Sequence, residues 1–420
     1  MKVIVLGAGV VGTTSAWYLR QAGHEVTVVD RQPAAGMETS FANGGQISVG
    51  QAEPWANPEA IHKILRWLGR EDAPLLFRLR ADPRQWQWGL QFLLQCRASR
   101  ARTNIRQLVT LGIHSRRCLQ ALRRELGLQY DHLENGILTF FTDPHELEGG
   151  VKAAEWMRSL GNDRRVVSVD EALRIEPALA PIRQQLQGAI YTAADESGDA
   201  HRFTLALAAR NAANGVEYCL DTQILKLVKN GDRLGGVEIE AAGGRRRTLQ
   251  ADSYVLALGS YSPLLLRPLG IRIPVYPAKG YSITIDIAKP EVAPSVSLTD
   301  EGRKLVISRL GQRLRMAGTA ELNGYDTTLN PVRLQALIDR AYELFPDIGP
   351  RHSIQTWTGL RPATPDNIPL IGKTRLRNLF LNTGHGPLGW THSCGSAQLL
   401  ADIVGGKAPE VDFAWLGRGG

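Results

Sequence analysis

The sequence predicts an α/β protein of two domains, one built on a parallel sheet and the other on a mostly antiparallel one. Three observations predict it. At the amino terminus an apolar, β-branched run passes through a glycine-rich turn into a helical pattern and then a second apolar run. A further buried-type strand, residues 253–258, ends at Gly259 in the middle of the chain. Residues 271–318 are rich in β-branched residues broken by Pro and Gly, as in an antiparallel sheet. At 420 residues the chain is long for one ordinary domain and comfortable for two.

The elements follow in order. Residues 2–6 are apolar, as a strand covered on both faces should be. Residues 11–22 turn helical, and Gly23 stands where a helix C-cap glycine belongs. Residues 25–29 form the second strand, which ends at Asp30. The tract 53–100 differs in character: Trp55, Trp67, Trp86 and Trp88, with many Leu and Phe, alternate with closely spaced arginines. A long amphipathic helix comes next, marked by Ile105, Leu108, Leu111, Leu119, Leu122 and Leu126. Another opens at Asp143, with Pro144 at its first position and Glu146 closing a capping box. Strand and helix alternate again over residues 188–227, and a last helix runs from Asn330-Pro331 to Phe345-Pro346. The domains are expected to be discontinuous: residues 1–50, 185–265 and 350–410 in one, residues 51–184 and 266–349 in the other.

Composition narrows the function classes. The chain is 43% hydrophobic and 21% charged, a globular mix. No run reaches the roughly 18 apolar residues of a membrane-spanning helix. The opening apolar residues read as the first strand, since Gly7, Gly9 and Gly12 follow at once without a cleavage site, so a cytoplasmic protein is expected. Cys96, Cys118, Cys219 and Cys394 are scattered, which argues against disulfides and zinc. A net charge of +8 without a basic run interleaved with aromatics suits a soluble enzyme with a basic surface rather than a nucleic-acid binder.

Gly7-Ala8-Gly9-Val10-Val11-Gly12 is a GxGxxG motif between a buried strand and a helix, with an acid about 20 residues on. That context makes a Rossmann-type dinucleotide site. Gly7 permits the tight turn, Gly9 a close approach to a pyrophosphate, and Gly12 the packing of helix on strand. The pyrophosphate would sit on the free N–H groups of the helix N-terminus. Asp30 would accept hydrogen bonds from the adenosine ribose, and Arg31 beside it is counted with the same site. The later glycine clusters, 231–236 and 243–244, neither follow a buried strand nor open a helix. A second dinucleotide is therefore not expected, and reducing equivalents should come from the substrate.

Four longer blocks carry a resemblance. They are residues 38–48 (ETSFANGGQIS), 274–282 (PVYPAKGYS), 357–366 (WTGLRPATPD) and 382–391 (NTGHGPLGWT). Together they resemble the D-amino-acid dehydrogenase small subunits, over residues 1 to about 410. The resemblance implies the D-amino-acid oxidase type of fold: an FAD-binding Rossmann-type domain plus a substrate domain with a mostly antiparallel sheet. It implies non-covalent FAD, an amino-acid substrate oxidised to a 2-oxo acid and ammonia by hydride transfer, and a quinone or other electron acceptor.

Each block then has an expected task. The first, with Thr39, Ser40, Asn43, Gly44, Gly45, Gln46 and Ile47, resembles the loop that lines the isoalloxazine; its short polar residues and glycines suit a planar ring. In the last block Gly384, Gly386 and Gly389, with Leu388, Trp390 and Thr391, precede a predicted helix whose N–H groups would face the flavin pyrimidine. Ala257 and Gly259 would lie near the ribityl chain. Ile224 resembles an adenine-side position and reads equally well as core. Arg361 is the expected carboxylate anchor, with a structural ion pair as the alternative. His385 would touch flavin or substrate, or be an ordinary loop residue. Tyr276 and Tyr281 are candidate pocket walls or core. Cys394 raises covalent attachment, though a plain buried thiol is preferred.

Two competing activities fit the same blocks: a glycine, sarcosine or hydroxyproline oxidase using oxygen, and a flavin subunit of a larger electron-transfer complex. The tract 55–106 has two readings as well. It either lies on an anionic lipid surface, giving peripheral contact at the inner face of the cell membrane, or caps the substrate domain with Trp86 and Leu90 buried against the 105–126 helix.

Overall fold

A computed structural model describes residues 1–67 and 69–417. Strand β1 (Lys2–Leu6) runs into helix α1 (Val10–Gln21), and β2 (Glu25–Val29) returns parallel to β1. These strands sit in a six-stranded sheet, in the order Leu370–Lys373, Leu379–Thr383, Ser253–Leu256, β1, β2 and Glu217–Cys219. Every neighbouring pair is parallel except the outermost, Leu370–Lys373 with Leu379–Thr383.

The alternation of strand side chains explains why β1 is apolar throughout. Val3 and Val5 pack toward α1 and the Gly389–Val404 helix, in a cluster with Ala16, Leu19, Leu399 and Leu400. Ile4 and Leu6 face the other way, against Leu227, Leu234, Val237 and Ile239. Those four belong to an antiparallel sheet of three strands, Thr222–Asn230, Arg233–Ala241 and Arg245–Leu249, which covers the far side. The clusters at Gly231 and Gly243-Gly244 lie at its two hairpin turns, as expected of motifs that open no helix.

The second sheet forms the floor of the rest of the molecule. Its order is Gln355–Ala363, Tyr276–Asp286, Arg313–Leu322, Leu305–Leu310, Ser297–Asp300, Ile137–Phe141, Gly188–Thr192 and Arg165–Val167, with Leu75–Phe77 added beside Arg313–Leu322. Two of its strands, 188–192 and 355–363, were expected in the nucleotide domain. The long helix Ala98–Leu126, expected with the second domain, instead lays Leu108 and Leu111 into the core of the first. A strand's composition tells that it is buried, not which of two sheets it joins.

The tract after residue 53 also differs from expectation. In the helix Pro83–Gln95, Trp88 and Phe92 are buried against Tyr276, Ala278, Leu322 and Ala363. Trp86, Leu90, Leu93 and Leu94 lie on the opposite face and are 47–61% exposed. Trp86 and Leu90 therefore do not bury against the long helix, because a 3.6-residue period turns them away when 88 and 92 face in. Among the described residues no helix is long and apolar enough to cross a membrane.

The turn between β1 and α1 fixes how closely the helix approaches the sheet. A Cβ on Gly12 would lie 1.9 Å from the Gly7 carbonyl oxygen, and one on Gly7 would lie 2.6 Å from the Ala257 oxygen. Gly12→Ala should lower the stability to denaturant by about 2–3 kcal/mol, because a backbone carbonyl has to move. Gly231→Ala, at φ +60° with open space around it, should cost only about 1 kcal/mol. Equal midpoint shifts would show that the α1–β1 approach is softer than this geometry.

Candidate active site

Between the two sheets lies a cavity of about 580 Å³, lined from both domains. At one end are Gly7, Gly9, Val10 and Val11, where α1 starts from Gly9 without a side-chain cap. Gly12 stands behind this wall as a packing glycine, and Ala8 points its N–H at the carboxylate of Asp30, 2.6 Å away. Asp30 also accepts the N–H of Gln32 at 2.8 Å and lines the cavity. Burial raises its carboxyl above the usual range while these two N–H bonds oppose the rise. Arg31 lies 4.1 Å over the Tyr261 ring and pairs with Glu38 at 2.6 Å. Ile224, Ala257 and Gly259 complete this end, and Ile224 also packs at the margin of the core behind it.

The loop after β2 crosses from this end to the second sheet, held by its own polar side chains. Ser40 Oγ accepts the Val10 N–H at 3.1 Å, and Thr39 Oγ1 donates to the Leu360 carbonyl at 2.9 Å. Asn43 Oδ1 accepts the Gly45 N–H, closing a tight turn. A Cβ on Gly44 would sit 2.1 Å from Val306 Cγ2, so only glycine lets the loop lie on the sheet here. The Gln46 amide donates to Ser297 Oγ and the Leu298 carbonyl. Ile47 is not on the cavity; it is buried with Trp17 and Leu119. Sequence reasoning missed Asp195, a buried carboxylate that accepts from Ser48 Oγ and the N–H groups of Val49 and Gly50 and pairs with Arg116.

The carboxyl-terminal block forms the next wall. Gly386, Leu388, Gly389, Trp390 and Thr391 line the cavity where the Gly389–Val404 helix begins, also without a side-chain cap. Thr391 Oγ1 accepts the Ser48 N–H at 3.0 Å, tying this helix to the loop. The Trp390 ring packs 4.6 Å from Phe203. Gly384 stands just behind the wall at φ +79°, where a Cβ would press on the Thr364 methyl. His385 lines the cavity with Nε2 3.1 Å from Ser396 Oγ. Burial, and then the neighbouring His392, pulls its pKa down to about 3, so the ring is neutral at physiological pH. Asn382, which was not foreseen, lines the same wall with a buried Oδ1 that has no hydrogen-bond partner among the described residues. Cys394 is buried in the core beside Trp390 and is not on the cavity wall; burial pushes its thiol well above the usual range.

Arg361 dominates the floor. It stands opposite Ala278 on the neighbouring strand, and its Nη1 donates to the Thr319 carbonyl at 2.7 Å. The guanidinium lies over Gly280, where a Cβ would meet Cζ at 2.4 Å. Among the described residues no carboxylate lies within ion-pair distance, so the structural ion pair is not what holds it. Burial, and then the like charge of Arg333, pulls its pKa down to about 10, which leaves it charged at neutral pH. Thr319 is itself unusual: a β-branched residue at φ +52°, on the cavity wall, with a buried hydroxyl lacking a partner among the described residues. No sequence signal marks a threonine for that conformation.

The two tyrosines are corrected. Tyr276 is not on the cavity; its ring packs with Trp88 at 6.4 Å. Tyr281 touches the cavity, but its ring lies in the core beneath the sheet and its hydroxyl donates to the buried Glu321. A strand places residues 276 and 280 on one face and 281 on the other, so two tyrosines five apart cannot share a wall.

Two further regions of the cavity were not foreseen as site. Trp55, Ile64, Trp67, Pro74, Leu75 and Phe92 make an apolar lobe, and Gln51, Thr139, Arg164, Thr299, Glu301 and Lys304 a polar one.

Known proteins agree with this architecture. The family described as FAD dependent oxidoreductase (DAO) matches residues 2–403. The D-amino acid dehydrogenase of Dechloromonas aromatica (strain RCB) is 59% identical over 416 residues, 99% of this chain and 100% of that protein. That of Paramagnetospirillum magneticum (strain ATCC 700264 / AMB-1) is 54% identical, covering 99% and 98%. In fold the chain is similar to glycine oxidase from Geobacillus kaustophilus, with a TM-score of 0.75 at 23% identity over 99% of this chain and 98% of that one. It is similar also to L-proline dehydrogenase from P. horikoshii, with a TM-score of 0.74 at 18% identity over 97% and 94%. By the match to nearly its whole length, the chain belongs to the family of FAD-dependent oxidoreductases.

Proposed function

We propose that this chain oxidises D-amino acids to 2-oxo acids and ammonia, and that a quinone-type acceptor takes the electrons. The observation that carries the reading is Arg361: a charged guanidinium on the floor of a cavity that begins at a dinucleotide turn, with no carboxylate partner among the described residues. The names of full-length relatives at 59% and 54% identity support the same substrate class.

The residues present fit FAD. Gly7, Gly9 and Val11 leave an uncapped helix N-terminus open to a pyrophosphate, and Asp30 offers its carboxylate to a ribose. Arg31, Ile224, Ala257 and Gly259 line the same end. Thr39, Ser40, Asn43, Gly44, Gly45 and Gln46 would follow the ring, and the helix beginning at Gly389 would turn its N–H groups toward it, beside the unpartnered Asn382 Oδ1. When bound, FAD supplies the electron-deficient ring that takes the α-hydrogen with its electron pair.

The chain's own residues bind and orient. Arg361 takes the α-carboxylate, and its fork fixes the substrate in rotation as well as position. His385 is neutral and occupied by Ser396, and the Tyr281 hydroxyl is held by Glu321 beneath the sheet, so neither is placed to remove the α-hydrogen as a proton. The amino group must therefore be neutral before transfer. Water then adds to the imino acid, releasing the 2-oxo acid and ammonia.

For the acceptor, we infer a peripheral contact with the inner face of the cell membrane. Support comes from the exposed face of the Pro83–Gln95 helix, where Trp86, Leu90, Leu93 and Leu94 stand near the exposed Arg84, Arg97 and Arg100.

Three outcomes are expected. The purified protein should be yellow, release FAD on acid precipitation and reduce a dye with D-amino acids faster than with L-amino acids. Peroxide formed at the same rate as substrate loss would make it an oxidase instead. Arg361→Ala should keep the flavin spectrum and lose roughly 30- to several-thousand-fold in kcat/KM, the 2–5 kcal/mol of a broken buried charge pair. Arg361→Lys should recover only part, since an ammonium has no fork; normal turnover by Arg361→Ala would put the anchor elsewhere. Finally, the protein should sediment with anionic vesicles at low salt and less so at high salt, and Trp86→Ser with Leu90→Ser should weaken this. A wild-type chain that stays in the supernatant at every salt concentration rules out the lipid contact.

A further inference from the structure

We infer that the substrate side chain seats in the apolar lobe of Trp55, Ile64, Trp67, Pro74, Leu75 and Phe92, so that the preferred amino acids carry aliphatic or aromatic side chains. This rests on the reading of Arg361 as carboxylate anchor. The lobe adjoins that anchor directly. Arg361 donates to the Thr319 carbonyl; the next residue, Ala320, pairs with Leu75 and donates its N–H to the Pro74 carbonyl at 2.7 Å. Leu75 and Pro74 therefore stand one residue from the guanidinium contact.

Small residues close the core behind the lobe. Ala278 stands opposite Arg361, and Ala363 lies two residues along its strand, hence on the same face. Both belong to the buried cluster of Phe92, Trp88 and Ala60, against which Trp55, Ile64 and Leu75 pack. These alanines close the core behind Phe92 and Leu75, whose side chains line the cavity on its other side. Trp55 is fixed from the opposite side, its N–H held by Asn367 Oδ1 at 3.0 Å.

The threonines of the polar lobe lie farther along the sheet. From the strand of Thr319, Thr299 lies two strands along the sheet and Thr139 three, about 10 and 14 Å at the usual strand spacing. The cavity charges other than Arg361 and those at the dinucleotide end gather there: burial lowers the pKa of Arg164 against the opposing effect of Glu53, Asp195 and Glu301, and Lys304 pairs with Glu301. A carboxylate held on Arg361 leaves the α-carbon one bond away, and Leu75 stands beside the strand whose carbonyl holds the guanidinium. Water displaced from the apolar lobe by methylenes then gives specificity through burial, roughly fourfold per methylene.

The test uses the FAD-loaded enzyme with a dye acceptor and D-Ala, D-Leu, D-Phe, D-Glu and D-Lys. D-Leu and D-Phe should exceed D-Ala in kcat/KM by roughly ten- to a hundredfold, and D-Glu and D-Lys should fall below D-Ala. Leu75→Trp, which fills the lobe, should lower the ratio of D-Phe to D-Ala at least tenfold. Because that ratio is taken within one protein, loss of folded enzyme cancels. D-Glu or D-Lys as the best substrate, or an unchanged ratio in Leu75→Trp, overturns the inference. If FAD is bound but no D-amino acid turns over, the functional reading falls by itself, and the lobe is decided by binding. Titrated against the flavin absorption, 3-phenylpropanoate should bind at least tenfold tighter than propanoate or glutarate; equal affinities overturn it.

Discussion

A guanidinium held in a cavity, with no counter-ion among the described residues, sets the terms for this half of the molecule. Withdrawing a cation from water without a partner costs several kcal/mol, and protein carbonyls repay only part of that. The Thr319 carbonyl takes one N–H of Arg361, and Gly280 clears the space in which the planar group lies. What keeps those two strands from drifting is on the other face of the sheet. Lys279 and Tyr281 flank Gly280 and both reach Glu321, which Arg78 also contacts at 3.2 Å. The charges there are closed among themselves. The charge above them has no carboxylate partner among the described residues, and the strain of Thr319 is tolerated because its strand is fixed to the neighbouring 276–286 strand.

The same logic runs through the other end of the cavity, with dipoles in place of a full charge. Two helices, α1 and Gly389–Val404, begin at the wall without side-chain caps, so their amino ends keep partial positive charge directed at the cavity. Neither end is left to wander. Ser40 ties the first to the loop after β2, and Thr391 ties the second to Ser48 at the end of that loop. Asp195 then anchors the residues that follow, Ser48 to Gly50, by three hydrogen bonds and by Arg116 from the long helix. One short loop thus registers both helix ends against the second sheet, and the glycine at 44 is what lets it lie flat there.

How much of this could be read from the sequence depended on how local each cause is. The turn from β1 into α1 was legible because its requirements lie within six residues: glycine at 7 for the turn and at 12 for close packing. The uncapped helix at 389 was legible for the same reason. Arg361 was found from its block, but the absence of a partner is a property of the folded surroundings. For Tyr276 and Tyr281, read as pocket walls or core, strand parity decides: they lie on opposite faces, Tyr276 in the core and Tyr281 at the cavity with its ring in the core. Thr319 and Asp195 had no signal at all: one depends on a backbone angle, the other on bringing residue 195 beside residues 48–50. Strands 188–192 and 355–363 likewise carry no mark of the sheet they join.

The helix Pro83–Gln95 joins these threads. Its inner face supports the site: Trp88 donates to the carbonyl of Ala363, two residues from Arg361, and Phe92 lines the cavity itself. Its outer face exposes Trp86, Leu90, Leu93 and Leu94, a stripe that ordinary folding would have buried. A rigid helix cannot move one face without the other. The helix meets the cavity wall through the Trp88 indole on the Ala363 carbonyl, through Gln85 on the Leu322 carbonyl and through the Phe92 ring. The exposed stripe and the cavity wall are thus two faces of one helix of 13 residues.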